Sequence, residues 1–143
     1  MSKKMMSKKL LWLPSVLLLA LSMLGCGSDM VRVSGTVTFT DGSPVTRGSV
    51  LFADGTFSAS GDIQPNGSFI LTSIRRGDGI RPGEYVVIIE RNWDDELDED
   101  GRVIRADPFE VHPRYSSRET SGLMFTVEAR KRNVFDIVVE RRE

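Results

Sequence analysis

The chain has 143 residues with 19 basic and 20 acidic side chains, a formal net charge of −1. This length suits one domain around one hydrophobic core and is too short for two. Residues 26–143 alone carry 15 basic and 20 acidic side chains, a net charge of −5, because four lysines precede them. Nucleic-acid binding depends on neutralising phosphates, so we expect no nucleic-acid partner.

The first 25 residues have the composition of a secretory signal peptide. The lysines precede an apolar run over residues 10–24, which is shorter than the ~20 apolar residues that a spanning helix needs. The run ends in Met23-Leu24-Gly25-Cys26, which resembles the lipobox of bacterial lipoproteins. Lipidation needs a thiol to take the diacylglyceryl thioether, and a small residue before it so that the peptidase can reach the bond. We therefore predict cleavage after Gly25.

Cys26 is the only cysteine, so no internal disulfide can form. An odd cysteine in an exported chain needs an explanation, and the alternative to lipidation is a buried free thiol. We predict that Cys26 carries the lipid and that residues 26–30 form a short tether. The predicted location is therefore extracytoplasmic, in the periplasm or on the cell surface, with the membrane as partner through Cys26.

From Val31 the hydrophobic pattern changes to a period of two, which indicates half-buried strands. Seven strands are predicted, separated by turn residues, over 31–40, 48–53, 57–63, 68–74, 84–91, 123–130 and 134–140. Strand 84–91 is apolar throughout its middle, which predicts a central strand covered on both faces.

The last two strands are predicted to form a hairpin, with alternate residues of strand 123–130 facing inward: Leu123, Phe125, Val127 and Ala129. No segment has sustained helical spacing. The pattern over residues 31–143 therefore predicts an all-β domain, a seven-stranded antiparallel β-sandwich of immunoglobulin-like architecture.

Four motifs follow one another along these strands: Val33-Ser34-Gly35-Thr36-Val37, Gly42-Ser43-Pro44-Val45, Asn66-Gly67-Ser68-Phe69 and Pro82-Gly83-Glu84-Tyr85-Val86-Val87. In this order they resemble the transthyretin-like (prealbumin-like), carboxypeptidase regulatory-like β-sandwich family. Three further motifs resemble small lipoproteins of environmental bacteria that carry this domain alone: Pro113-Arg114-Tyr115, Thr120-Ser121-Gly122-Leu123 and Asn133-Val134-Phe135-Asp136. The resemblance implies a fold and a location, and it implies no activity.

Some transthyretin-like proteins hydrolyse 5-hydroxyisourate with histidines, an arginine and a C-terminal Tyr-Arg-Gly-Ser motif. This chain has one histidine, His112, and ends in Glu140-Arg141-Arg142-Glu143, so the resemblance does not extend to that activity. A serine triad could be assembled from His112, Asp107 and Ser116 or Ser117, but their clustering in one loop gives no reason for the required geometry. We predict a domain that is not an enzyme and needs no cofactor, with a small hydrolase as the less favoured alternative.

Three carboxylates, Glu96, Asp98 and Asp100, precede Gly101 with the oxygen spacing of a calcium loop. The twelfth position is Asp107 rather than glutamate, and no flanking helices are predicted. We expect a solvated acidic loop and no metal, with these three residues as weak candidates.

Residues 92–121 form a long loop with nine acidic and four basic side chains, a net charge of −5. Loops longer than about 12–15 residues are uncommon in compact domains unless they are functional or disordered. Trp93, Arg114 and Tyr115 are the candidate binding residues, because aromatic and arginine side chains are enriched at binding hot spots. Alternatively, Tyr115 folds back and closes the end of the domain.

The short tether holds the domain against its membrane. If successive strands alternate in direction, the connections 53–57, 74–84 and 130–133 return to the membrane side, whereas loop 92–121, Arg141 and Arg142 lie at the far pole. Those connections carry six basic side chains: Arg75, Arg76, Arg81, Arg130, Lys131 and Arg132. They either face anionic lipid head groups or are ordinary solvated turn residues.

The sequence thus predicts a membrane-anchored, non-catalytic envelope module with a binding or structural role. Its partner would be an unknown envelope protein or a glycan. A carbohydrate-binding module is the alternative, and it requires Trp93 to be exposed on a flat surface.

Overall fold

A computed structural model describes residues 29–106 and 108–143. The predicted signal peptide at 1–25, the lipidated Cys26 and Asp107 lie outside the described residues, and of the tether only Asp29 and Met30 lie within them. The described part is all-β, as predicted. It contains nine strands and one short 3₁₀ helix.

The strands in chain order are β1 Val33–Phe39, β2 Ser49–Ala53, β3 Ser58–Asp62, β4 Ser68–Ile70, β5 Gly83–Glu90, β6 Glu96–Leu97, β7 Val103–Arg105, β8 Leu123–Val127 and β9 Asn133–Val139. The 3₁₀ helix covers Pro113–Ser116. All strands except β6 and β7 overlap predicted ones. The largest difference is at β4, which ends at Ile70 because Thr72 pairs with Ser60 beside β3 and the chain leaves β1.

The strands form a three-stranded sheet of order β4-β1-β9, a four-stranded sheet of order β3-β2-β5-β8, and a small β6-β7 hairpin. Strand β5 lies between β2 and β8, and Val87, Ile88 and Ile89 are all buried, as predicted for a strand covered on both faces. All neighbouring strands are antiparallel except β1 and β9, which run parallel from Val33↔Asn133 to Phe39↔Val139. The prediction of a wholly antiparallel arrangement is wrong for this pair.

The predicted hairpin between the last two strands is also wrong, because β8 and β9 belong to different sheets. After Val127 the chain crosses from one sheet to the other, and the buried Asn133 holds the crossing. Its side chain accepts a hydrogen bond from Glu128 N at 2.8 Å and donates to the Glu128 carbonyl at 2.9 Å. Ala129, predicted to face inward, is exposed within this crossing.

The three-stranded and four-stranded sheets share one hydrophobic core, with an aromatic cluster at its centre. The Phe52 ring on β2 lies 5.8–6.4 Å, centroid to centroid, from four other rings, which are Phe69, Tyr85, Phe125 and Phe135. Gly35 allows β1 to pass between them, since a Cβ there would overlap the Phe135 carbonyl and meet the Phe69 ring. All buried core members of the described residues lie between Val33 and Val139, so this segment encloses a core of its own.

Strand direction alternates among the seven strands of these two sheets. Ladder orientations within each sheet, together with the antiparallel Ser60↔Thr72 bridge between β3 and the end of β4, fix this alternation. The connections therefore gather at two ends, as predicted. The N-terminal pole consists of residues 29–32, 54–57, 71–82 and 128–132; the far pole consists of residues 40–48, 63–67, 91–112 and 140–143.

Loop 92–121 was predicted to lie at the far pole, and this is right only for its first part. The β6-β7 hairpin interrupts what was predicted as a loop without strands. The 3₁₀ helix then packs against β5, and the Arg118 guanidinium reaches the N-terminal pole, 3.6 Å from where a Cβ on Gly55 would lie.

Candidate functional site

The N-terminal pole is tied together by backbone pairing. Val31 donates to the Ile80 carbonyl at 2.9 Å, and Ile80 donates back at 3.0 Å. The Arg81 guanidinium lies 5.1 Å from the centroid of the Phe57 ring and so joins the 54–57 turn to the 71–82 connection. The buried Tyr85 hydroxyl donates to the Arg81 carbonyl at 2.9 Å, and burial raises the pKa of Tyr85.

A groove of about 550 Å³ opens at this pole. It is lined by the start of β1, by the end of β4 with the loop after it, and by the crossing before β9. Its charged lining residues are all basic: Arg32, Arg76, Lys131 and Arg132. The sequence predicted the basic turns; it did not predict Arg32, which precedes β1 on the polar face of the alternation.

A tight turn beside the groove is organised by Asp78. Its carboxylate accepts hydrogen bonds from the backbone N–H groups of Ser73 at 2.8 Å, Ile74 at 3.1 Å and Arg75 at 2.8 Å. These bonds, the one from Ser73 first, lower the pKa of Asp78 from 3.8 to about 2. The turn presents Ile74, whose side chain is 80% exposed.

At the far pole, Trp93 is packed between other side chains. The Arg47 guanidinium carbon lies 3.9 Å from the centroid of the indole ring, and that of Arg91 lies 5.3 Å away. Phe109 meets the indole edge-on at 5.4 Å. Trp93 is half-buried, and the Arg47 guanidinium covers one face of its indole ring.

Arg141 holds the far pole together. Its guanidinium donates to Glu110 at 2.7 Å and to the Ser43 hydroxyl at 2.8 Å, pairs with Asp41 at 3.5 Å, and stacks 3.8 Å from the centroid of the Phe39 ring. The Ser43 hydroxyl lowers the pKa of Asp41, with a smaller contribution from Arg141. This cluster has no local sequence signal, because its members are up to 102 positions apart.

The three predicted binding residues fall into two groups. Trp93 belongs to the Arg47 and Phe109 cluster. Tyr115 lies in the 3₁₀ helix, is only 4% exposed and packs into the core. Its position therefore agrees with the alternative prediction that it folds back and closes the end of the domain. Arg114 lies over the Tyr115 ring at 4.8 Å and donates to Glu140 at 3.4 Å.

The residues of the hypothetical serine triad serve local structure. His112 Nδ1 accepts from the Arg114 N–H at 3.2 Å and caps the 3₁₀ helix. The Ser117 hydroxyl donates to the Glu119 carboxylate, which lowers the pKa of Glu119. Ser116 is the exposed last residue of the 3₁₀ helix.

The three candidate metal ligands belong to the β6-β7 hairpin. Asp98 accepts from the backbone N–H groups of Asp100 at 3.0 Å and Arg102 at 2.7 Å and so closes the turn. Asp100 pairs with Arg102 at 3.1 Å, and Glu96 lies opposite Arg105. Among residues 29–106 and 108–143, no group of three or more His, Cys, Asp or Glu is arranged to hold a metal ion.

Comparison with protein-family models, with curated proteins and with solved structures gives no match for this chain. In the part of the chain that the structure describes, no helix has both the length and the apolar character needed to cross a membrane.

Proposed function

We propose that this chain is a membrane-anchored, non-catalytic lipoprotein of a bacterial cell envelope, whose β-domain acts as a binding or structural module. The observation that carries the proposal is the segment Met23-Leu24-Gly25-Cys26. It places the only cysteine of the chain directly after a lysine-rich and apolar leader. The described domain begins three residues later, at Asp29.

The finer fold we propose is a seven-stranded sandwich related to the transthyretin-like, carboxypeptidase regulatory-like family. Two sheets of three and four strands around one aromatic core support it. Further support comes from the turns that the family motifs predicted. Asn66 accepts from the backbone and the hydroxyl of Ser68 ahead of β4, and Gly67 has the positive φ of 83° that such a turn needs.

A structural role for the candidate catalytic residues supports the non-catalytic part of the proposal. His112 and Ser117 each hold local backbone or side-chain geometry in the second half of the 91–122 connection.

The test is metabolic labelling with a fatty acid that carries a click-chemistry handle, in a bacterial host that acylates lipoproteins. We expect the wild-type chain to be labelled and to fractionate with membranes, and Cys26→Ala to lose both properties. Gly27→Ala is the matched control, since it leaves the thiol in place. An unlabelled wild-type chain, or a mature protein beginning at a residue other than Cys26, would contradict the proposal.

A further inference from the structure

Most basic side chains of the N-terminal pole have no ion-pair partner among the described residues. The four segments of this pole carry seven basic and four acidic side chains. Among the described residues, Lys131 pairs with Glu128, whereas no ion pair involves the remaining groove residues Arg32, Arg76 and Arg132. A groove that collects unpaired guanidinium groups is suited to bind anions.

Two of the acidic side chains at this pole are turned into their own connections. Asp54 accepts from Thr56 and from the Phe57 N–H at 2.7 Å, and Asp78 accepts from the three N–H groups of residues 73–75. Both oxygens of Asp78 and the Oδ1 atom of Asp54 therefore accept hydrogen bonds from their own connections. The arginines remain the groups available to a partner.

An apolar element accompanies this charge. Ile74 projects from the Asp78 turn and is directly followed by Arg75 and Arg76. Ile70 on β4 and Val134 on β9 both lie opposite Ser34 of β1, so they form an exposed row across the outer face of the three-stranded sheet. Apolar side chains bordered by Arg or Lys are typical of surfaces that bind at the lipid head-group boundary.

We propose that the N-terminal pole is a lipid-docking surface, which binds anionic phospholipid head groups in the Arg32, Arg76, Lys131 and Arg132 groove and inserts Ile74 between them. The proposal rests on the proposed function for its membrane. A lipid-bearing Cys26 lies three residues before Asp29, which limits the distance between their Cα atoms to about 11 Å. The groove must then lie at the bilayer surface.

Vesicle binding by the unlipidated domain tests this surface apart from the acyl chains. Residues 26–143 with Cys26→Ser contain the complete core and are incubated with vesicles of phosphatidylglycerol and phosphatidylethanolamine in equal parts, or of phosphatidylcholine alone. We expect sedimentation with the first vesicles only, weakening as salt is added. Inorganic phosphate is the competitor that separates head-group binding from capture of a free anion.

Matched charge reversals locate the binding to one pole. Arg75→Glu/Arg76→Glu/Arg132→Glu is expected to lower vesicle partitioning on the order of 100-fold, because each basic residue near an anionic surface contributes about fivefold. The variant Arg102→Glu/Arg105→Glu/Arg142→Glu makes the same change in net charge at the far pole, and it should lower vesicle partitioning far less. Equal losses in the two triple variants, or equal binding of the wild type to both kinds of vesicle, would overturn the proposal.

The apolar contact has its own variants. Ile74→Ser, which leaves the charge unchanged, is expected to lower vesicle partitioning about tenfold. Ile74→Leu, which keeps an apolar side chain, is expected to partition like the wild type. Circular dichroism of each variant checks the fold. If Ile74→Ser partitions like the wild type, insertion of Ile74 is wrong.

A second measurement uses the lipidated protein. Because Cys26 is the only native cysteine and its thiol is acylated in the proposed lipoprotein, the Ile74→Cys variant can be labelled at that one position with an environment-sensitive dye. A label at residue 74 should be shielded from an aqueous quencher on vesicles, whereas one at residue 104 should stay accessible. Ile104 is the matched site, 64% exposed on the β6-β7 hairpin. If the labels at residues 74 and 104 are quenched equally in the acylated protein, the docking proposal is wrong. If the label at residue 74 is shielded but Cys26 proves not to be acylated, only the proposed function is wrong.

Discussion

The two poles of the domain contain similar side chains in opposite arrangements. At the far pole several arginines are paired within the chain, as Arg141 is with Glu110 and Asp41, and Arg102 is with Asp100. At the N-terminal pole the groove arginines are exposed, whereas Asp54 and Asp78 accept hydrogen bonds within their own turns. Charge that is paired internally stabilises its own surroundings, and charge left unpaired remains available to a partner. This contrast is the reason for proposing a structural role for the far pole and a binding role for the N-terminal pole.

The largest effect should come from the core that both poles share. Phe52→Ala removes the ring that contacts four other aromatic rings and is expected to lower the free energy of unfolding by about 3–5 kcal/mol. Urea unfolding can be followed by circular dichroism for the sheets and by Trp93, the only tryptophan of residues 26–143, for the far pole.

Both probes should shift together for Phe52→Ala. Val138→Ala, at an exposed position of β9, is the control and should change the stability by less than about 0.5 kcal/mol. A Trp93 transition that keeps its wild-type midpoint while the sheet signal moves would show that the far pole does not depend on the core.

A smaller effect is expected from Arg141→Ala, which removes two ion pairs, a hydrogen bond and a ring contact at the far pole. These partly exposed interactions together should contribute about 1–2 kcal/mol, and the loss should shrink in high salt. Arg142→Ala is the neighbouring control. The comparison of the poles is sharpened if vesicle binding is unchanged in Arg141→Ala, and it is weakened if that variant also loses binding.

The smallest effect should be a change in acid stability through Asp78. Its pKa is lowered from 3.8 to about 2 by backbone donors, so its stabilising contribution is complete above the ordinary value and is lost as the pH falls through about 2. Asp78→Asn should therefore flatten the fall in urea midpoint over this pH range. Asp94→Asn, the same change in the acidic loop, is the control; identical acid profiles for the two variants would exclude this role of Asp78.

The strands themselves could be predicted from the sequence because alternation is a local property. Val33, Val37 and Phe39 are buried and Thr40 is exposed, as the period of two requires. The two poles were also predictable, since they follow from the alternation of strand direction once seven strands are recognised. The anchor prediction rests on the signal peptide at 1–25 and on Cys26, and it stays a prediction.

Pairing between distant strands could not be predicted in the same way. The segment after Val127 resembles a hairpin turn, yet Asn133 binds back to Glu128, and the Phe125 and Phe135 rings meet 4.9 Å apart from opposite sheets. The decision between a turn and a crossing thus depends on packing. The Arg141 cluster at the far pole could not be predicted for the same reason, because nothing near Arg141 in the sequence indicates that it contacts Asp41 or Phe39.

The parallel pairing of β1 with β9 has a mechanical consequence. The chain enters β1 at one end of the domain and leaves β9 at the other, and the two strands are paired at seven consecutive positions. A pull on the C-terminus against an N-terminus held in a membrane would slide the two strands along each other and strain the whole ladder at once. A hairpin pulled from its open end separates one pair at a time, so the parallel β1-β9 pair should withstand a larger force between the two ends of the domain than a hairpin would.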